Sequence, residues 1–160
     1  WSSVDDILGV MHARIPRDQR GRVSVELQPD LPLVFVDEVQ CFRLLGHIVE
    51  NALRYAPAST MVSVKAGLAD VFPQEDRAVL ELAVEDEGPG VAAGEEDRIF
   101  EKFYRGKAAT GMAGGTGLGL AISRDIAEFH GGHIRVEPRT PQGARFVVQL
   151  LLQTKAMEAQ

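Results

Sequence analysis

Apolar positions recur along this chain at two different periods, and the switches between them divide it into helices and strands. Val4, Ile7, Leu8 and Met11 share one face of a helix predicted to run to Ala13. Ser2 or Ser3 can cap it, and Asp5 and Asp6 supply the acidic first turn that a helix dipole favours. Arg22 to Leu27 alternates polar with apolar and reads as a strand, followed by Pro29, Pro32 and a short apolar run. Asp37 then opens the longest helical pattern, through Ala56, with Cys41, Phe42, Leu45, Ile48, Val49, Ala52 and Leu53 on one broad apolar face. Met61 to Leu68 and Arg77 to Glu85 alternate again and are predicted to pair as a hairpin across the polar, Pro-containing stretch between them. A Gly and Pro turn at Gly88 to Gly90 leads to a short helical piece around Glu95 to Phe100. The loose stretch Gly106 to Gly115 then reads as a mobile loop. Leu118 to His130 is helical by spacing and is stopped by Gly131 and Gly132; strands are predicted at His133 to Glu137 and Ala144 to Leu151, and a frayed tail at 153–160.

With 160 residues, 45% hydrophobic and 25% charged, this pattern is that of one globular domain with a single core. A net charge of −6 argues against a duplex nucleic-acid surface, which needs clustered Lys and Arg, so no nucleic-acid partner is expected. Cys41 is the single cysteine, which rules out an intrachain disulfide and suits a reducing, cytoplasmic setting. Its simplest role is that of a small buried apolar residue. No apolar run approaches the roughly 18 residues of a membrane helix. The opening on Trp1, with no charged-then-apolar leader, suggests a piece of a longer protein.

Opposite the apolar face of the Asp37 helix runs a polar stripe of Arg43, His47, Glu50, Asn51 and Arg54, with His47 and Asn51 one i,i+4 step apart. A solvated face accounts for the charges. It accounts less well for an Asn in a helix interior, where its propensity is poor. Two glycine segments add weight to a functional reading. Asp86-Glu87-Gly88-Pro89-Gly90 follows directly on a strand, so a carboxylate at the strand end is succeeded by backbone that can approach a ligand closely. Gly115-Thr116-Gly117-Leu118-Gly119-Leu120 opens a helix and presents free N–H groups and a positive dipole end to an anion. Neither common nucleotide fingerprint fits. Leu120 and Ile122 stand where a dinucleotide motif needs its third glycine, and Gly106-Lys107 is followed by Ala108 where a phosphate loop needs Ser or Thr.

The chain instead resembles the ATPase domain shared by histidine kinases, DNA gyrase, Hsp90-type chaperones and mismatch-repair ATPases. The histidine-kinase boxes occur in order: an N-box at His47-Ile48-Val49-Glu50-Asn51-Ala52-Leu53-Arg54-Tyr55, a glycine box at Asp86 to Gly90, an F-box at Ile99-Phe100-Glu101-Lys102-Phe103-Tyr104-Arg105, and a second glycine box at Gly115 to Leu120. The Trp1-Ser2-Ser3 opening and Glu101 to Lys107 are similar to the potassium-sensing Kdp kinases in particular. This resemblance implies ATP and Mg²⁺ as cofactors, Asn51 as metal ligand, and Asn51, His47 and Glu50 as the catalytic positions. It implies that Asp86 accepts a hydrogen bond from the adenine amino group, beside the close-approaching backbone of Gly88 and Gly90. Such a charge-assisted bond contributes about 1.5 to 3 kcal/mol. By the same resemblance Arg54 and Lys107 meet phosphate oxygens, and Tyr55 lies near the adenine or sugar. Phe100 and Arg105 belong to the nucleotide site, and Gly115, Thr116, Gly117, Leu118, Gly119 and Leu120 form a lid over the phosphates that Phe100 and Phe103 anchor to the core. The sequence departs from the family at His47, where most sensor kinases carry Asn and chemotaxis kinases carry His. His47 is then either an active polar group near the γ-phosphate or metal, or a neutral replacement.

The fold so implied is a two-layer α/β sandwich, a mixed and mainly antiparallel sheet of about five strands with three main helices on one face. Residues 1–20 are expected to be a connecting helix and linker from missing dimerisation helices, 21–152 the catalytic domain, and 153–160 a flexible tail. The expected reaction is transfer of the ATP γ-phosphate to a histidine on a separate dimerisation domain of the same kinase, with a response regulator downstream. The domain alone is expected to be monomeric and its parent a homodimeric inner-membrane sensor with this part in the cytoplasm. Three rivals share parts of the pattern: a chaperone or repair ATPase, which would need a general-base Glu where His47 stands; a serine kinase of the anti-sigma type; and a nucleotide-binding regulatory module without turnover.

Overall fold

The computed structural model describes residues 1–72, 77–105 and 117–152. Helix α1 (Val4–Ala13) starts where Ser3 accepts the Asp6 N–H, and Val4, Ile7, Leu8 and Met11 are its buried residues, as the spacing predicts. Strand β1 (Val23–Leu27) follows, then α2 (Glu38–Tyr55), capped by the Asp37 carboxylate on the Gln40 N–H. The hairpin forms from β2 (Val62–Phe72) and β3 (Arg77–Glu85), antiparallel with Val64 opposite Val84. Helix α3 (Gly119–Phe129) precedes β4 (His133–Pro138) and β5 (Ala144–Leu152).

The five strands form one sheet in the order β1-β2-β3-β5-β4. Only β1 and β2 are parallel, because a parallel neighbour needs a crossover and α2 provides it. The other pairs are antiparallel, so the expected mixed, mainly antiparallel sheet is the one found. Alternation decides which face is covered. Val64 of β2, Leu82 and Val84 of β3 and Phe146, Val148 and Leu150 of β5 are buried in one core with the apolar faces of the three helices. The α1 side chains belong to this same core.

The opposite face carries a charge network centred on Arg145, whose guanidinium donates to Glu81, Glu85 and Glu137, each at 3.2 Å. Lys65 adds a pair to Glu85 at 3.2 Å, and Gln149 donates to Glu81 at 2.9 Å. Isolated exposed pairs contribute about 0 to 1 kcal/mol, but one arginine fork holding three carboxylates fixes the relative positions of β3, β4 and β5.

Two details refine the expected elements. The buried face of α2 includes Leu44, because α3 packs on that flank and its Ser123 hydroxyl donates to the Leu44 carbonyl at 3.1 Å. The piece around Glu95 to Phe100 reduces to a single 3-10 turn, Arg98–Phe100. The end of α2 and the turn after it find a partner the sequence does not reveal: Arg22 donates to the carbonyls of Leu53, Ala56, Pro57 and Thr60 at 3.4, 3.5, 2.9 and 3.2 Å.

Cys41 is buried in the α2 face, and burial, with Asp37 and Glu38 nearby, pushes its thiol up to about 12. Only the thiolate attacks disulfide reagents. At pH 8 the native protein should therefore release no chromophore from an aromatic disulfide reagent on the timescale in which the denatured chain reacts fully. Complete reaction of the native protein would show that this face opens.

Candidate functional site

The polar stripe of α2 faces a cavity of about 440 Å³, bounded across the gap by the end of β3 and the start of α3. His47, Glu50, Asn51, Arg54 and Tyr55 line it from α2. Arg43, although on the same stripe, lines a separate groove between α1 and α2. Arg54 donates to Glu50 at 3.1 Å across one helical turn, so a cation and a carboxylate stand paired at the cavity edge. The stripe therefore does more than meet bulk solvent.

Asp86 closes the far wall and is 4% exposed. Its Oδ1 accepts the Gly88 N–H at 2.8 Å, and its own N–H donates to the Ala144 carbonyl at 3.0 Å. Burial raises its carboxyl above the ordinary value; the Gly88 and Ala144 backbone N–H groups and Arg139 oppose that rise without cancelling it. The backbone around it has no room for side chains. A Cβ on Gly143, which has φ +117°, would stand 1.8 Å from the Asp86 carbonyl oxygen. Gly90, also at positive φ, lines the cavity, while Gly88 lies behind it and acts through its N–H on Asp86.

Gly117, Leu118, Gly119 and Leu120 line the cavity at the start of α3. Among the described residues no side chain caps this helix, so its first N–H groups face the cavity as donors for an outside acceptor. Gly119 packs on His47, where an added Cβ would meet the ring at 3.5 Å. Among the described residues the His47 Nδ1 is enclosed and has no hydrogen-bond partner. Burial first, then Arg43, hold this ring below the usual histidine range, with Glu50 and the Gly119 backbone acting in the opposite sense. The imidazole is therefore neutral at pH 7, with an unused ring nitrogen.

Phe100 does not touch the cavity. It is buried and meets Phe146, which does line it, edge-on at 6.3 Å between centroids. Phe103 corrects the expectation of a second aromatic anchor: its φ of +64° turns the side chain outward, and it is 71% exposed. Its backbone makes the contact instead, donating to the Gly117 carbonyl at 2.9 Å. Arg105 lines the cavity, whereas Lys107, Gly115, Thr116 and the loop expected at 106–115 lie outside the described residues, as does the tail 153–160. Sequence reasoning did not single out Glu95, Tyr104, Ala144 and Phe146 as lining residues. Phe146 and Ala144 alternate like any core strand, and only the placement of β5 beside β3 brings them behind Asp86.

Among the described residues no group of three or more His, Cys, Asp or Glu side chains could hold a metal ion. A metal here would be held by one or two protein oxygens and by oxygens of a bound ligand. That is the habit of Mg²⁺ on phosphates, and the Asn51 amide beside a helix N-terminus suits it.

Comparison with known proteins places this geometry. Residues 36–154 match the family described as histidine kinase-, DNA gyrase B-, and HSP90-like ATPase. The chain is 34% identical over 149 residues to the alginate biosynthesis sensor protein KinB of Pseudomonas aeruginosa, covering 92% of this chain and 23% of that protein. It is also 34% identical over 154 residues to the sensor protein KdpD of Escherichia coli K12, covering 96% of this chain and 16% of that protein. The solved structure of the mycobacterial sensor histidine kinase MprB superposes with a TM-score of 0.72 at 26% identity, covering 93% of this chain and 94% of that one. The chain thus belongs to the histidine kinase-, DNA gyrase B- and HSP90-like ATPase family, as the catalytic ATP-binding domain of the sensor histidine kinase type. It spans less than a quarter of the length of KinB and of KdpD.

Proposed function

We propose that this domain binds Mg·ATP in the cavity between α2, α3 and the end of β3, and donates the γ-phosphate to a histidine on a separate helical domain of its parent kinase. The observation that carries the reading is the convergence on one cavity of Asn51, Asp86 and the uncapped start of α3. Asp86 accepts the adenine amino hydrogen bond at the closed end, and Tyr55 flanks the base or sugar. The free N–H groups of Gly119 and its neighbours, with Arg54 and Arg105, face the phosphates. Asn51 and the phosphates would hold Mg²⁺, which would supply charge neutralisation for the transferring group. The protein's part is orientation and charge stabilisation, with no covalent intermediate on this domain. His47 lines the same cavity one helical turn before Asn51, and its enclosed Nδ1 leaves Nε2 as the nitrogen that would act towards the phosphates or a water of the metal.

The parent is a membrane-anchored sensor that passes the phosphoryl group on to a response regulator, and this domain lies on its cytoplasmic side. Residues 1–20 lead in from the dimerisation helices. Potassium sensing is the finer reading suggested by the Trp1 opening and the Glu101 to Lys107 segment. Identity alone does not select it, since KinB and KdpD are equally similar at 34%.

Calorimetry tests the nucleotide reading. ATP should bind measurably, and more tightly with Mg²⁺ than with excess chelator; equal affinity in both conditions would remove Asn51 from its proposed role.

A further inference from the structure

Glu95 is a buried carboxylate that no part of the proposed chemistry uses. It is 8% exposed and lines the cavity. Its Oε1 accepts the Tyr104 hydroxyl at 2.8 Å, across nine residues that include the 3-10 turn. The Tyr104 ring also lines the cavity, and the Arg98 guanidinium lies 4.6 Å from its centroid. One residue back, the Phe103 N–H is fixed to Gly117, and one residue on, Arg105 faces the cavity. The short stretch Phe103 to Arg105 is thus tied by its backbone to the start of α3 and to the Glu101 carbonyl, which accepts the Tyr104 N–H at 3.2 Å, and by its phenol to Glu95.

We propose that Glu95 is a positioning residue of the nucleotide site, holding the Tyr104 hydroxyl so that the tyrosine ring walls the cavity and Arg105 is presented to the polyphosphate. This rests on the reading of the cavity as the ATP site. Glu95 does not touch the nucleotide; it acts through Tyr104. A buried carboxylate needs partners to offset its desolvation, and directing one oxygen at a phenol uses that need to fix a loop. The structural alternative is that Glu95 merely satisfies itself within the loop, with Arg105 indifferent to it.

Binding of Mg·ATP by the 160-residue chain separates the two, measured for wild type, Tyr104→Phe, Glu95→Ala, Glu95→Gln and the double variant Glu95→Ala with Tyr104→Phe. Tyr104→Phe removes one hydroxyl and keeps the ring, so it leaves the packing intact. It is expected to raise the Kd for Mg·ATP roughly 3- to 10-fold, the worth of one hydrogen bond, with Tm within about 2 °C of wild type. Glu95→Ala should lose at least as much, and Glu95→Gln, whose amide oxygen can still accept from the phenol, should recover part of the loss. The decisive comparison is the double variant, which should bind no more weakly than Glu95→Ala alone, because the hydroxyl has nothing left to hold it. Wild-type affinity in Tyr104→Phe, or losses that simply add in the double variant, would overturn the positioning role while leaving the ATP site standing. A wild-type chain that fails to bind Mg·ATP would overturn both.

Discussion

Asp86→Asn should weaken ATP binding on the order of 10- to 100-fold while the folded domain becomes no less stable at neutral pH, the loss of a hydrogen bond to a charged acceptor. The asparagine oxygen can still take the Gly88 N–H, so the turn that Asp86 organises survives. Its other oxygen position becomes an NH₂ donor facing the adenine amino donor, and like partners repel. The stability side follows from burial. The Asp86 carboxyl titrates above its ordinary value near 3.8 in the folded protein, so the native state holds this proton more tightly than the unfolded chain does. Stability from this group is therefore greatest below about 3.8 and falls as pH rises through the window up to the raised value. At pH 7 the desolvation cost of the ionised group is fully present, and asparagine removes it. Thermal melts should show Asp86→Asn at or above wild type at pH 7, with a flatter profile across that acidic window. Wild-type affinity in a folded variant would dismiss Asp86 as the adenine acceptor.

Asn51→Ala should lower phosphoryl transfer to an acceptor histidine by roughly 100- to 1000-fold, the usual consequence of removing one positioned polar group from a site that works by charge stabilisation. Stability should not follow activity. Alanine is the better helix former by several tenths of a kcal/mol, and Asn51 is only half-buried on the cavity side of α2. The expected signature is thus a slow enzyme with an unchanged or raised Tm. A parallel fall in both would mean that Asn51 holds the helix and not the phosphates. Transfer at the wild-type rate would remove the residue from the site altogether.

Helix and strand boundaries were legible within a few residues because each element shows a clean period against one core. The spacing of Val4, Ile7, Leu8 and Met11 can serve no strand, and that of Val62, Val64 and Ala66 no helix. The boxes around Asn51, Asp86 and Gly117 were legible because their residue types are poor choices for a helix interior or a regular strand. What stayed hidden depends on sheet order. Nothing local in Ala144 or Phe146 says that β5 inserts between β3 and β4, yet that insertion puts them at the cavity wall. Gly143 carries no local signal, yet the Asp86 carbonyl fills the place of its missing Cβ. Phe103 was misjudged because a large apolar residue in an F-box suggests burial, and a positive φ, invisible in the sequence, turns it out. Leu44 fell outside the expected face because α2 is covered on its flank by α3 as well as by the sheet beneath.

Where the γ-phosphate goes decides the function of this domain. The chain has four histidines, His12, His47, His130 and His133, followed by Ala13, Ile48, Gly131 and Ile134. None has the adjoining acidic residue expected of an acceptor. His47 is committed to the cavity, and the His130 ring accepts the Asp37 N–H at 3.1 Å. Incubated with γ-labelled ATP and Mg²⁺, the domain alone should remain unlabelled. Addition of a separate helical fragment carrying the parent's own acceptor histidine should place acid-labile label on that fragment, and Asn51→Ala should suppress it. Acid-labile label on a histidine of the 160-residue chain itself, or no label on the fragment while the domain is saturated with Mg·ATP, would contradict the account.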